Sequence, residues 1–104
     1  MGNYDIIHIM NGKEYIKRTQ ELLKVAHGED DPIAFCNRAH IDSVRNLEVY
    51  LKHAGLIDGH YWTYGELASA YNFSRPRAVQ ICQRTEKHIK EYYQYSDNVE
   101  CIRS

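Results

Sequence analysis

Long apolar runs are missing from this chain. None approaches the roughly 20 residues that a membrane-spanning helix needs, and the first residues lack the basic region and apolar stretch of a secretory signal peptide. With only 2 prolines and 6 glycines in 104 residues, the chain also lacks the composition of a disordered or fibrous protein. We therefore expect a cytoplasmic globular protein that makes no membrane contact.

Paired cysteines are missing as well. The 3 cysteines, Cys36, Cys82 and Cys101, are odd in number and widely spaced, which argues against a disulfide framework, and no C-x2-C pair is present for zinc. Cys36 and His40 lie four residues apart and could share a metal ion, but isolated thiols are the simpler interpretation. No nucleophile–base pair, carboxylate pair or phosphate-binding glycine loop is recognisable. We expect no enzymatic activity and no cofactor.

A large excess of positive charge is also missing, because the formal net charge is −1. That value argues against a protein that coats nucleic acid through bulk electrostatics. The charge is uneven, however, since residues 74–93 contain five cations against two carboxylates, a local net charge of +3. An ordinary solvated helix face and a nucleic-acid-binding face both fit such a segment.

Turn residues and periodic apolar positions predict about five helices after residue 10, whereas residues 4–10 are too short a tract to assign to a strand or a helix. The predicted helices begin near Asn11, at Asp31-Pro32, at Ile41, after Thr63 and after Ser74. We therefore expect an all-α single domain over residues 1–104. Residues 1–40 would be a helical extension of unassigned role, and residues 41–95 would contain a helix-turn-helix unit.

The last two predicted helices have the start and stop signals of a tight pair. Thr63 and Glu66 have the spacing of a capping box, Asn72 tolerates a left-handed backbone, and Ser74 is a typical N-cap. The second helix of the pair should bury a stripe formed by Ala78, Ile81, Cys82, Thr85, Ile89 and Tyr92.

Polar side chains then face outward near the start of the last helix. Arg75 can bond guanine and Gln80 can bond adenine, each through two hydrogen bonds, in the major groove. Such residues lie near the N-terminus of a recognition helix. The residues expected to contact phosphates are Thr63, Arg77, Gln83, Arg84 and Lys87.

Residues 54–93, AGLIDGHYWTYGELASAYNFSRPRAVQICQRTEKHIKEYY, resemble region 4 of the sigma-70 family, which reads the promoter −35 element. The likeness comprises the Gly55-Leu56 and Asp58-Gly59 linker, the Thr-x-x-Glu-Leu start of the first helix, and the Ser-Arg-x-Arg-x-x-Gln-Ile string of the second. Asn72 stands where the family usually has a left-handed glycine. The resemblance implies a helix-turn-helix that reads duplex DNA.

The same resemblance places Pro76 and Val79 against the bases, so that they join Arg75 and Gln80 as the residues expected to contact bases. The family usually has Glu at the position of Pro76 and Arg at the position of Val79. Neither proline nor valine can make the hydrogen bonds of those residues, although both can pack against thymine methyl groups. The turn and buried positions of the motif therefore match the family, while two of the positions expected to contact bases (its reading face) differ from it.

The function expected from the sequence is that of a small DNA-binding transcription regulator. The alternative is a protein-binding module, of a kind encoded by bacteriophages, that docks on RNA polymerase or a sigma factor and redirects or inhibits transcription. Residues 1–40 would either form a homodimer, as two DNA half-sites usually require, or complete the core. Tyr61 and Trp62 are expected to form a core anchor or a lid rather than to stack on bases.

Overall fold

Five helices lie in the described part of the chain. The computed structural model describes the backbone of residues 18–103 and the side chains of residues 18–94. The helices are α1 (residues 18–26), α2 (Pro32–Ala39), α3 (Val44–His53), α4 (Tyr64–Tyr71) and α5 (Arg75–Arg103). No strand occurs in this part of the chain, so the all-α prediction is confirmed. The tract 4–10 and the predicted start at Asn11 lie outside the described residues.

The start of α2 follows directly from two adjacent residues. The Asp31 side chain accepts a hydrogen bond from the backbone N–H of Ile33 at 3.0 Å, and Pro32 occupies the first helical position. Proline costs little there because the first N–H groups of a helix have no intrahelical partner. The helix ends at His40, whose φ of 59° lies in the left-handed region.

The helix α3 begins at Val44, so the predicted start at Ile41 was wrong by three residues. Ser43 is the N-cap, and its hydroxyl accepts a hydrogen bond from the backbone N–H of Asn46 at 3.1 Å. Ile41 has the spacing of the apolar face, but it is buried just before the helix rather than inside it. The hydroxyl cap therefore decides where the helix starts.

The buried side chains form two clusters, and each cluster contains residues of both α3 and α5. The first, here the α1–α2 cluster, contains Leu22, Val25, Phe35, Cys36, Ala39, Ile41, Leu47, Leu51 and Ile89. The second, here the α4 cluster, contains Val49, Leu67, Ala68, Ala78, Ile81 and Cys82. Residues 18–40 thus contribute to a core that includes α3 and α5, which favours the core-completing role for this part of the extension.

The predicted buried stripe of α5 is confirmed at five positions, since Ala78, Ile81, Cys82, Thr85 and Ile89 are all at most 3% exposed. Its sixth member, Tyr92, is partly buried and packs edge-on against Phe35, with ring centroids 5.9 Å apart. The opposite side of α5 is consequently left at the surface. No helix in the described residues is long and apolar enough to cross a membrane.

The residues before α4 only partly follow the prediction. Trp62 packs against the α4 cluster, as predicted, with the Lys52 ammonium 4.7 Å from its ring centroid. Tyr61 does not anchor the core, because this side chain is 72% exposed. A Cβ at Gly55 would lie only 2.9 Å from the Tyr61 ring, so the ring covers the glycine, where φ is +75°. Tyr61 therefore packs against the backbone at Gly55 and is not buried in the core.

Candidate nucleic-acid interface

A short turn joins α4 to α5 and fixes their relative placement. Asn72 has a φ of 60°, which confirms the predicted left-handed residue, and its backbone N–H donates to the carbonyl of Ala68. The Phe73 N–H bonds the same carbonyl at 2.9 Å. The Ser74 hydroxyl then accepts from the Arg77 N–H at 3.2 Å, as expected of an N-cap. The two helices are therefore joined by a short turn with a left-handed residue at its start and a capping hydroxyl at its end.

The N-terminus of α4 carries the predicted capping box. The Thr63 hydroxyl accepts from the Glu66 N–H at 3.1 Å, while the Thr63 N–H donates to the Glu66 carboxylate at 2.9 Å. The His60 Nε2 atom lies 3.0 Å from the same carboxylate. The Thr63 N–H, and then His60, lower the pKa of Glu66.

This arrangement bears on the phosphate contact predicted for Thr63. Its hydroxyl and N–H are both used within the capping box, and a carboxylate occupies the helix end that should attract a phosphate. The contact stays a prediction, and it would have to use the N–H groups that follow Thr63.

The residues predicted to face bases lie together at the start of α5. Arg75, Pro76 and Gln80 are exposed, and Val79 is partly exposed. The Arg75 side chain makes no hydrogen bond or ion pair with any residue that the structure describes. Gln80 accepts one long contact, 3.5 Å, from the Arg77 guanidinium. The start of α5 therefore presents three of these side chains, and part of the fourth, at the surface of the described part of the chain.

Four of the predicted phosphate-binding residues, Arg77, Gln83, Arg84 and Lys87, are also exposed on α5. Arg84 is not free, however, because its Nε donates to the Asp42 carboxylate at 2.7 Å. This hydrogen bond lowers the pKa of Asp42 and raises that of Arg84. Asp42 lies just before α3, 42 residues away in sequence, and no local sequence signal indicates the pair.

An open groove, here the α3–α5 groove, separates the start of α3 from the outward face of α5. Its lining residues are Asp42, Asn46, Arg77, Gln80, Ile81, Gln83, Arg84 and Lys87. Three cations and one carboxylate give the lining a net charge of +2. The sequence interpretation identified five of these residues on α5 but neither of the two on the α3 side.

The positive charge along α5 is interrupted by acidic partners. Besides the Arg84–Asp42 pair, Lys90 lies 3.5 Å from Glu86 one turn away. A further cation that sequence reasoning missed is Arg45, whose guanidinium lies 5.0 Å from the ring centroid of Phe73 in the turn. The cationic surface is therefore extended toward the turn and weakened along the later part of α5.

The described part of the chain contains neither a cluster of metal-binding side chains nor a thiol with a lowered pKa. No group of three or more His, Cys, Asp or Glu side chains there could hold a metal ion. Cys36 is buried, whereas His40 is exposed. Burial raises the pKa of the Cys36 thiol, and it raises that of Cys82 to about 11. Both thiols are consequently protonated, and weakly nucleophilic, near neutral pH.

Protein-family models, curated proteins and solved structures were compared with the chain, and none matches it. The resemblance to sigma region 4 therefore rests on the residues of the motif alone.

Proposed function

We propose that the protein is a small transcription regulator that binds duplex DNA by inserting the start of α5 into the major groove. The observation that carries the proposal is the exposure of Arg75, Pro76 and Gln80 at the N-terminal end of this helix. The opposite side of α5 is buried. The left-handed Asn72 and the N-cap Ser74 fix the turn that leads into this helix. Recognition helices contact base edges with residues in this part of their length.

Each reading residue has a chemical role in this proposal. Arg75 would bond the O6 and N7 atoms of guanine, and Gln80 the N6 and N7 atoms of adenine. Pro76 and Val79 would contact thymine methyl groups. A sigma-like frame with these side chains would select a sequence different from the usual −35 element.

The proposal is tested by selecting bound duplexes from a randomised library at low salt. We expect a consensus that weakens at one base pair in Arg75→Ala and at another in Gln80→Ala, each at a cost of about 1–3 kcal/mol. Lys24→Ala, which removes an exposed cation from α1, is the control and should leave the consensus unchanged. Failure of the native chain to retain any duplex in low salt would overturn the proposal.

A protein-docking function is the second candidate, favoured by the acidic partners of Arg84 and Lys90 and by the net charge of −1. In this case the same face would dock on RNA polymerase or on a sigma factor. Retention of purified RNA polymerase after nuclease treatment would support it, whereas loss of polymerase with the nucleic acid would indicate bridging by DNA.

A further inference from the structure

The floor of the α3–α5 groove contains a polar side chain that has no protein partner. Asn46 is only 9% exposed, and its backbone N–H is bonded to the Ser43 hydroxyl. Its side-chain amide makes no hydrogen bond with any residue in the described part of the chain. In the described residues, the enclosed side-chain polar atom without a partner is Tyr71 Oη and not an atom of Asn46, so the unpaired amide of Asn46 is open to the groove that it lines. Asn46 therefore offers both a donor and an acceptor to a group that enters the groove.

Cations line the same groove on the side of α5. Arg77 and Lys87 line the groove, and the Lys87 ammonium makes no ion pair among residues 18–94. Arg84 uses its Nε for Asp42, so its two terminal amino groups can still donate to another acceptor. Asp42 thus occupies one N–H of this cation and opposes part of the positive charge. The remaining charge still favours an anion over a cation or a neutral group.

We propose that the α3–α5 groove binds a phosphate group, with Asn46 donating from the floor and Arg77, Arg84 and Lys87 donating from the wall. Guanidinium and ammonium groups are the usual partners of phosphate oxygens, and an amide N–H adds a directed hydrogen bond. Gln80 lines the same groove and also belongs to the reading face. A phosphate held here would consequently flank the bases that α5 contacts.

The phosphate has two possible sources with the same chemistry. One is a phosphodiester of the DNA backbone, and this assignment rests on the proposed function. The other is a free phosphorylated small molecule, for which inorganic tripolyphosphate serves as the probe.

The test measures binding of tripolyphosphate and of a selected duplex, each by calorimetry, to the native chain and three variants. Lys87→Gln removes a groove cation, and Asn46→Asp places a carboxylate on the floor with almost no change in shape. Lys90→Gln is the matched control, because it removes an exposed cation of the same helix that does not line the groove. Thermal unfolding of each variant is recorded alongside, and Lys87→Gln, at the surface, remains informative if Asn46→Asp does not fold.

We expect Lys87→Gln and Asn46→Asp each to weaken binding of the tested phosphate source about tenfold. Lys90→Gln should change the affinity less than about twofold, because exposed charges outside the site are screened. If Lys87→Gln and Asn46→Asp weaken binding of the duplex, the site is assigned to DNA. If the native chain binds no duplex, and the two substitutions weaken binding of tripolyphosphate, the site is assigned to a free phosphate. In that second outcome the proposed function fails while the groove site stands.

Two results would overturn the groove site. One is a duplex affinity that falls equally in Lys87→Gln and Lys90→Gln and is unchanged in Asn46→Asp, in which case DNA binding stands without this site. The other is the absence of any binding of either probe by the native chain, in which case both proposals fail.

Discussion

At the scale of single residues, the contact between Asp42 and Arg84 bears most directly on the proposed function. The carboxylate holds one predicted phosphate ligand and adds a negative charge to the surface that would face DNA. Both side chains are at least half exposed, so the pair contributes little to stability. Its main effect should therefore be on binding rather than on folding.

Asp42→Asn should raise the affinity for duplex DNA several-fold at low salt, because it removes the charge that repels phosphates and frees Arg84 for them. Titration by fluorescence anisotropy measures the change. Glu29→Gln, which removes an exposed carboxylate from the segment between α1 and α2, is the control for net charge. A lower affinity of Asp42→Asn would contradict this prediction and would instead make Asp42 a positioning residue for Arg84.

Asn72 allows a second prediction at this scale, since its side chain is exposed and its φ is 60°. Alanine in this conformation costs about 1–2 kcal/mol relative to glycine, whereas asparagine tolerates it better. Asn72→Ala should therefore lower the free energy of unfolding by about 1 kcal/mol, and Asn72→Gly should leave it nearly unchanged. Urea unfolding compares the two, and equal stabilities would show that the backbone conformation carries no cost.

At the scale of helices, local contacts explain which boundaries could be predicted. The caps at Asp31, Thr63 and Ser74 bond residues two or three positions away, so the pattern of residue types is sufficient to locate them. The start of α3 was misplaced because Ile41 continues the apolar spacing while Ser43 caps the helix. Apolar periodicity records burial, and a residue can be buried on either side of a helix start.

The candidate site was predictable only on one of its sides. The outward face of α5 follows from its buried stripe, because one helix fixes the angle between the two faces. Asp42 and Asn46 reach this face through the packing of α3 on α5, between residues about forty positions apart, and no local pattern encodes that packing. The groove therefore became visible only in the folded chain.

The N-terminus of α4 should make folding sensitive to acid. The Thr63 N–H and His60 hold the pKa of Glu66 below its ordinary value. A carboxyl with a depressed folded pKa adds stability above its unfolded pKa, and this stability is lost as the pH falls through the folded pKa. Acidification from neutral pH to below about pH 4 should therefore cost the native chain more stability than it costs Glu66→Gln.

Thermal unfolding at several pH values measures this difference. Glu29→Gln, whose carboxylate makes no hydrogen bond or ion pair with a described residue, is the control and should follow the native chain. Parallel pH curves for the native chain and Glu66→Gln would contradict the prediction.

At the scale of the whole molecule, the sharing of α3 and α5 by both clusters should make unfolding cooperative. Phe35 on α2 is fully buried in the α1–α2 cluster, whereas Ile33 on the same helix is 61% exposed. Phe35→Ala should cost about 3–5 kcal/mol, and Ile33→Ala less than about 0.5 kcal/mol. Chemical unfolding followed by tryptophan fluorescence measures both, because Trp62 packs on the other cluster.

A loss of stability that is seen at Trp62 after the Phe35 substitution would link the two clusters in one folding unit. If the Trp62 signal keeps its native midpoint in Phe35→Ala, the α4 cluster folds independently, and residues 41–95 are a separable unit.

At this scale, the balance of charge limits how strongly the affinity of the protein for DNA can depend on salt. The net charge is −1, and the three cations of the groove, Arg77, Arg84 and Lys87, are proposed to share one phosphate. Each neutralised phosphate contributes about −0.9 to the slope of log K against log salt, so one copy of the chain should show a slope near −0.9. Its affinity should fall about 3.5-fold between 50 and 200 mM salt. A homodimer on two half-sites should double the slope. Anisotropy titrations over this salt range, with the oligomeric state measured in parallel, distinguish the two, and a slope near zero would show that phosphates contribute nothing to binding.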